Sequence, residues 1–269
     1  MAQPVNLYDT GDMRGLREDL SDVIYNIAPY ETPLLSRCDK TSATNINHEW
    51  QTDTLRSSAD NAHLEGDATI ADSMVATVRL SNHAQIFKNA VQTSGTEKAV
   101  KKAGRGTDMA YKVRQTTKEH KKDIERALFA NQAKVTRTGS IPGRLAGIGA
   151  WMNTNTVFEA TGGGADPTAT DGTTARTDGT ATAFTQDRFD RAMRLRWDSG
   201  GAMDGISVYL SSFQMDVALG FVGNNAQRSN IDASTGKVIN NLTAYTTPWG
   251  DVKFVMSREC RSRDVLILQ

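Results

Sequence analysis

Between Asp108 and Val135 the residues Met109, Val113, Thr117, His120, Ile124, Leu128 and Val135 recur at helical spacing as a narrow stripe. Thr107 stands as the N-cap, the helix is expected to end near the Thr138-Gly139 step, and Pro142 confirms the stop. At 1.5 Å per residue such a helix spans roughly 40 Å. A helix that long with so thin a stripe lies across a surface instead of inside a core. The chain therefore needs a fold in which long elements are covered from one side only.

The 269 residues suffice for one large domain or two modest ones, and a compact fold of that size buries roughly three quarters of its unfolded surface. Hydrophobic residues are only 38% and the mean hydropathy is -0.46. Much of the chain is expected to stay extended or exposed until a neighbour covers it; an ordinary soluble domain with long polar loops is the other reading. Basic and acidic side chains balance at 31 each, so no global field recruits nucleic acid or membrane, and little self-repulsion opposes association.

The flanking segments support the same picture. Leu16, Leu20, Val23, Ile24 and Ile27 mark one face of a short helix over 14–27, which Pro29 ends, and Pro33 should hold the next residues extended. This is either an arm or the edge of a domain. Ile46, His48 and Trp50 alternate with polar neighbours, as do Met74, Ala76, Val78 and Leu80. Between them Thr52 to Asp72 is small and polar, with Gly66-Asp67 as a turn signal, so a long hairpin is expected to project from a body. Residues 160–183, rich in Gly, Thr, Ala and Asp, read as a flexible loop or linker.

Helix and strand alternate after that. Thr185 should cap a helix through Trp197, with Phe184 packing on Phe189, and Gly200-Gly201 should terminate it. Ile206 to Leu210 reads as a strand and Ser211 opens a helix to Phe221. A hairpin turns at Thr247-Pro248-Trp249-Gly250, and Val265 to Leu268 reads as a buried strand. Such a strand needs neighbours on both faces. The expectation is a natural chain running beyond Gln269 or a partner on this edge.

No catalytic constellation emerges. His48-Glu49 begins like a zinc-protease motif, but Thr52 stands where its second histidine is needed. His48, His63, His83 and His120 form no ligand spacing; His120, on the helix stripe, reads as packed or hydrogen-bonded. Neither a nucleophile elbow nor a phosphate loop occurs, and Gly143, Gly147 and Gly149 read as structural turn glycines. Asp166, Asp171 and Asp178 lack the spacing of a calcium loop. The sequence thus implies no enzyme, no cofactor and no metal. Cys38 and Cys260 cannot make a disulfide framework, which points to a reducing compartment. The Met1-Ala2-Gln3-Pro4 opening does not read as a secretory signal. No apolar stretch approaches the ~20 residues of a membrane span.

One charged feature stands out. From Glu97 to Lys122, nine basic residues (Lys98, Lys101, Lys102, Arg105, Lys112, Arg114, Lys118, Lys121, Lys122) face three acidic ones, Glu97, Asp108 and Glu119. Lys101, Lys102, Arg105, Lys118, Lys121 and Lys122 are candidates to meet phosphates, or an acidic neighbouring subunit, or simply water. Tyr111 is the one interleaved aromatic, which argues against base-specific recognition.

Tyr30-Glu31-Thr32-Pro33-Leu34-Leu35-Ser36, His48-Glu49-Trp50-Gln51-Thr52-Asp53 and the stretch Tyr245 to Leu268 resemble one family of tailed-bacteriophage major head (major capsid) proteins. The order of elements is similar to the Hong Kong 97-type capsid fold, an α+β architecture. The resemblance implies an N-terminal arm over 1–44, an extended loop over 45–92 and a spine helix of the peripheral domain over 93–142. A connecting segment would cover 143–183, and an axial domain 184–269. It further implies a virion protein, made in the host cytoplasm, that assembles with itself into pentamers and hexamers around double-stranded DNA. Scaffolding, portal and decoration proteins would be its partners, and no membrane. No long charged helical segment precedes residue 14, which favours a separate scaffolding protein. Leu16, Leu20, Ile27, Leu55, Leu64 and Ile70 are the expected inter-subunit contacts. Family members more often continue past the final strand, where this chain ends at Gln269. Two other readings are kept: the shell of a cytosolic nanocompartment, and a nucleic-acid-binding accessory protein using the basic run 98–122.

The same resemblance raises the covalent cross-linking of the fold's namesake, in which a lysine of the extended loop attacks an asparagine of a neighbour. That step needs a deprotonated amine. Between Lys40 and Lys88 there is no lysine; the loop cations are Arg56 and Arg79, which stay protonated. Particles boiled in detergent should therefore run as a single band near the 29.3 kDa chain mass. A reductant-resistant ladder of multimers would contradict this.

Overall fold

The computed structural model describes residues 31–68, 74–100, 106–158, 163–221, 230–232, 237–239 and 244–269. The expected helix over 14–27 lies outside these residues. The chain divides into two units, Met1–Tyr30 with Asn89–Glu119, and Glu31–Lys88 with His120–Gln269. Taken together, the described elements are mixed helix and sheet, an α+β fold.

The second unit is built on strand β3, Ile206–Leu210, every residue of which is buried. Its β-branched and large apolar residues suit a strand covered on both faces. It lies within a four-stranded sheet of order β6 (Ala244–Thr247), β7 (Gly250–Met256), β3 and β8 (Leu266–Leu268). β3 runs parallel to β7 and antiparallel to β8, and β6 returns antiparallel to β7 through the expected Pro248-Trp249 turn. A short separate ladder pairs β4 (Asn230–Asp232) with β5 (Lys237–Ile239).

Alternation along β3 separates two cores. Ile206, Val208 and Leu210 join Val252 and Phe254 of β7 with Phe189, Met193, Ala218 and Phe221. These last come from or adjoin helices α4 (Gln186–Asp198) and α5 (Ser212–Leu219). Phe184 packs edge-on to Phe189 at 6.5 Å, the hydrophobic staple that sets the entry of α4. Ser211 and Gln214 close a capping box on α5. On the other face Tyr209 meets Leu34, Phe129, Cys260 and Leu266. Leu34 belongs to the short helix α1, Pro33–Arg37. Here Pro33 does not extend the chain but starts a helix: Thr32 before it is non-helical, at φ -131° and ψ 71°, and the ring is preset for a first turn.

The long helix, α3, runs Asp108–Phe129 and stops short of Val135. Its 22 residues span roughly 33 Å. Val135 instead pairs with Arg144 in an isolated bridge, with both hydrogen bonds at 3.0 Å. The returning chain passes so close that a Cβ on Gly147 would stand 1.9 Å from the Ala130 carbonyl oxygen. That tertiary pairing ends the helix where the periodic pattern alone would continue it. Val113 is exposed on the stripe, whereas Glu125, Ala127 and Phe129 are buried at the helix end. In the other unit, α2 (Gly95–Ala99) starts at Ser94, whose hydroxyl accepts from the Glu97 N–H at 3.2 Å.

Glu125 has no exposed surface. Its carboxylate accepts from the Leu35 N–H of α1 at 3.2 Å and from the Ser257 hydroxyl, after β7, at 2.9 Å. Burial raises its pKa, the bonds from Leu35, Ser257 and Leu34 oppose that, and the nearby Glu259 charge adds to the rise. Replacing Glu125 with Ala strands the buried Ser257 hydroxyl and the half-buried Leu35 N–H and should cost about 1–3 kcal/mol. The raised folded value means stability is fully present below the ordinary carboxylate range and is lost as pH rises through that value. Glu125→Gln, which accepts from Leu35 and donates to Ser257, should flatten that slope in urea unfolding. Identical slopes for both proteins would contradict the assignment.

Candidate assembly interface

The expected projecting hairpin is present. Strand β1, Asn47–Thr52, pairs antiparallel with β2, Val78–His83, from Asn47 opposite His83 to Thr52 opposite Val78. β2 starts later than the alternation suggested, so Met74 and Ala76 fall in the loop. Near the loop tip the Asp67 N–H donates to the Leu64 carbonyl at 3.1 Å, with Gly66 at φ 84° as the turn requires. His63 sits 2.8 Å from Asn61 Oδ1 and 3.4 Å from Asp67 Oδ2.

Among the described residues, apolar side chains on this loop stay open to solvent. Leu55 is 100% exposed, Met74 98%, Leu64 85% and Val75 81%. A single exposed leucine is ordinary on any surface. Four on one loop are not, since fully covering each is worth roughly 1.5–3 kcal/mol. Sequence reasoning named Leu55 and Leu64 and placed Met74 on a strand. Val75 it passed over, although an apolar residue in a segment with no core to face was the available signal.

The other expected contacts are distributed differently. Leu16, Leu20, Ile27, Ile70, Lys101, Lys102 and Arg105 lie outside the described residues. On α3, Lys118 and Lys121 are exposed and Lys122 is half-buried. Tyr111 is half-buried, its hydroxyl accepting from Gln115 Nε2 at 3.0 Å. His120 packs edge-on to Phe87 at 6.0 Å, as its place on the stripe suggested, and His83 meets the Thr136 hydroxyl at 3.0 Å. Among the described residues no three of His, Cys, Asp and Glu could hold a metal ion. Cys38 and Cys260 are both free. Burial, with the Asp264 charge, pushes the Cys260 thiol up to about 12, leaving it protonated and unreactive at neutral pH.

The 163–183 segment is tied down rather than a free linker. Ala165 and Thr177 form a two-bond bridge, and Pro167 is fully buried. Asp178 bonds Arg261 and lies 3.5 Å from Arg263, while Arg176 reaches Asp264 at 3.5 Å. The Arg176 guanidinium also stacks 4.4 Å from the Phe158 ring centre. Burial of Asp178 works against its ionisation, but the Arg261 bond and the charges of Arg261, Arg263 and Arg176 hold its carboxyl below the usual range. Glycine-rich composition hid this order, because its partners lie far along the chain. Beside it a groove of about 610 Å³ runs along Val265–Leu268, flanked by 155–158 and 179–184. β8 is thus an edge strand, with β3 on one side and this groove beside it.

The family described as SU10 major capsid protein matches residues 4–269. The major capsid protein of Escherichia phage Phieco32 is 34% identical over 135 residues, which is 50% of this chain and 38% of that protein. The aligned stretch therefore spans well under two thirds of that relative's length.

Proposed function

The chain belongs to the SU10 major capsid protein family, and from that membership we propose that it is the structural subunit of a tailed-phage head, acting by self-assembly. The observation that carries the reading is the hairpin loop, whose Leu55 and Met74 are almost wholly exposed, with no partner surface among the described residues. In this reading the loop lies on a neighbouring subunit, and the groove beside β8 is likewise covered in the shell. Many weak contacts of this kind sum to a stable particle, and symmetric closure limits its growth.

The finer assignments belong to the same proposal. Residues 1–44 act as an arm, 45–92 as the extended loop of a Hong Kong 97-like fold, 93–142 as the spine and 184–269 as the axial domain, with 143–183 connecting them. Subunits group into pentamers and hexamers around double-stranded DNA, with separate scaffolding and portal proteins and a decoration protein as partners. The basic run on α3 supports a non-specific contact with packaged DNA; Lys112, Arg114, Lys118 and Lys121 are all exposed. If the chain were instead a DNA-binding accessory protein, the isolated subunit would bind DNA with steep salt dependence. Enzyme cargo in place of DNA would mark a nanocompartment.

Deleting residues 56–70 tests the central feature. The shortened protein should remain a soluble, folded subunit, because the loop contributes nothing to either core, yet it should fail to close shells. Normal shells from the deletion would overturn the role given to the loop.

A further inference from the structure

A ribbon of two six-residue strands has no core of its own, so its direction must be set at its root. We propose that this root is a clamp that fixes how the hairpin projects, with Trp50, Trp151 and Lys134 as its positioning residues. The inference rests on the shell-subunit reading only for its consequence in assembly; the clamp itself is a property of the single chain.

Contacts reach β2 and its partner strand from several directions. Trp50, opposite Leu80 in the ladder, sets its ring 5.2 Å from that of Trp151. Trp151 is closely packed on Gly172, where a Cβ would stand 2.9 Å from the indole. Lys134 Nζ sits 5.9 Å from the Trp151 ring centre and donates to the Ser81 carbonyl at 2.8 Å and the Ser81 hydroxyl at 3.2 Å. The Lys134 backbone N–H is itself held by the Gly172 carbonyl at 2.8 Å. On the alternate position of β2, Asn82 Oδ1 accepts from the Ala146 N–H at 2.9 Å. Beyond the strand, Gln85 Oε1 accepts from the Leu145 N–H at 3.3 Å.

Ser81 and Asn82 therefore each tie the ribbon to the paired 132–147 segment, through backbone and side chain, and a swing at the root breaks these bonds. Each six-residue strand is roughly 20 Å long, so a small rotation at the root becomes a large displacement at Leu55 and Leu64. A subunit whose loop must find a neighbour benefits from settling that direction before assembly.

The test places spin labels at Thr52→Cys and Arg194→Cys in the full chain carrying Cys38→Ser, and reads the distance distribution on dilute, unassembled subunits. Both label sites are exposed, and buried Cys260 stays unlabelled. Trp50→Ala with Lys134→Met should broaden and shift the distribution while leaving the thermal midpoint of the core in place. Trp50→Phe with Lys134→Arg should restore a single narrow distance, which a merely structural role would not require. If the double variant fails to fold, Lys134→Met alone gives the same readout. An unchanged distribution in the variants, or a broad one in the parent, overturns the clamp. Electron microscopy of the same proteins should show the parent closing shells and the double variant giving misshapen or open ones. A parent that never forms shells refutes the shell-subunit reading, and the distances still judge the clamp.

Discussion

Burial of β3 on both faces is the constraint from which the rest of the larger unit follows. A five-residue strand with no exposed side can persist only if each face has its own cover. One face is covered by α4 and α5, the other by α1 and the end of α3, while β7 and β8 flank the strand in the sheet. Segments as distant as Leu34 and Leu266 are thereby fixed around Tyr209. The buried Glu125 ties the same assembly together, since its two oxygens bind the backbone of α1 and the hydroxyl of Ser257. Loss of either donor would leave a desolvated carboxylate with an unmet bond, so the polar contact adds specificity to the packing around it.

Local signals were legible where sequence-near residues decide the structure. The staple of Phe184 on Phe189, the box of Ser211 with Gln214, the Pro248-Trp249 hairpin and the alternation of β3 all act within a few residues. Long-range competition was not legible. Val135 fits the stripe of α3 but is drawn into a bridge with Arg144, and Pro33 opens a helix because Leu34 has a core to enter. No local signal marks Glu125 for burial; only the arrival of Leu35 and Ser257 makes it tolerable. Likewise the Asp178 loop looks free until Arg261 and Arg263 come to it.

Of the candidate interface, the hairpin and the exposure of Leu55 and Leu64 could be read in advance, because a polar stretch with scattered leucines has no core to serve. The root could not be read. Trp50 lies far along the chain from Lys134 and Trp151, and only folding brings the three together. The contrast between a well-anchored root and a bare apolar tip is physically coherent for a subunit that assembles. Rigidity at the root lowers the entropy lost on association, and exposed apolar surface at the tip supplies the gain.

Electron microscopy of the expressed protein at high concentration reads self-assembly outright. Closed shells, tubes or rings built from this chain are expected. Discrete, unassociated subunits under every assembly condition, with the core folded, would contradict it.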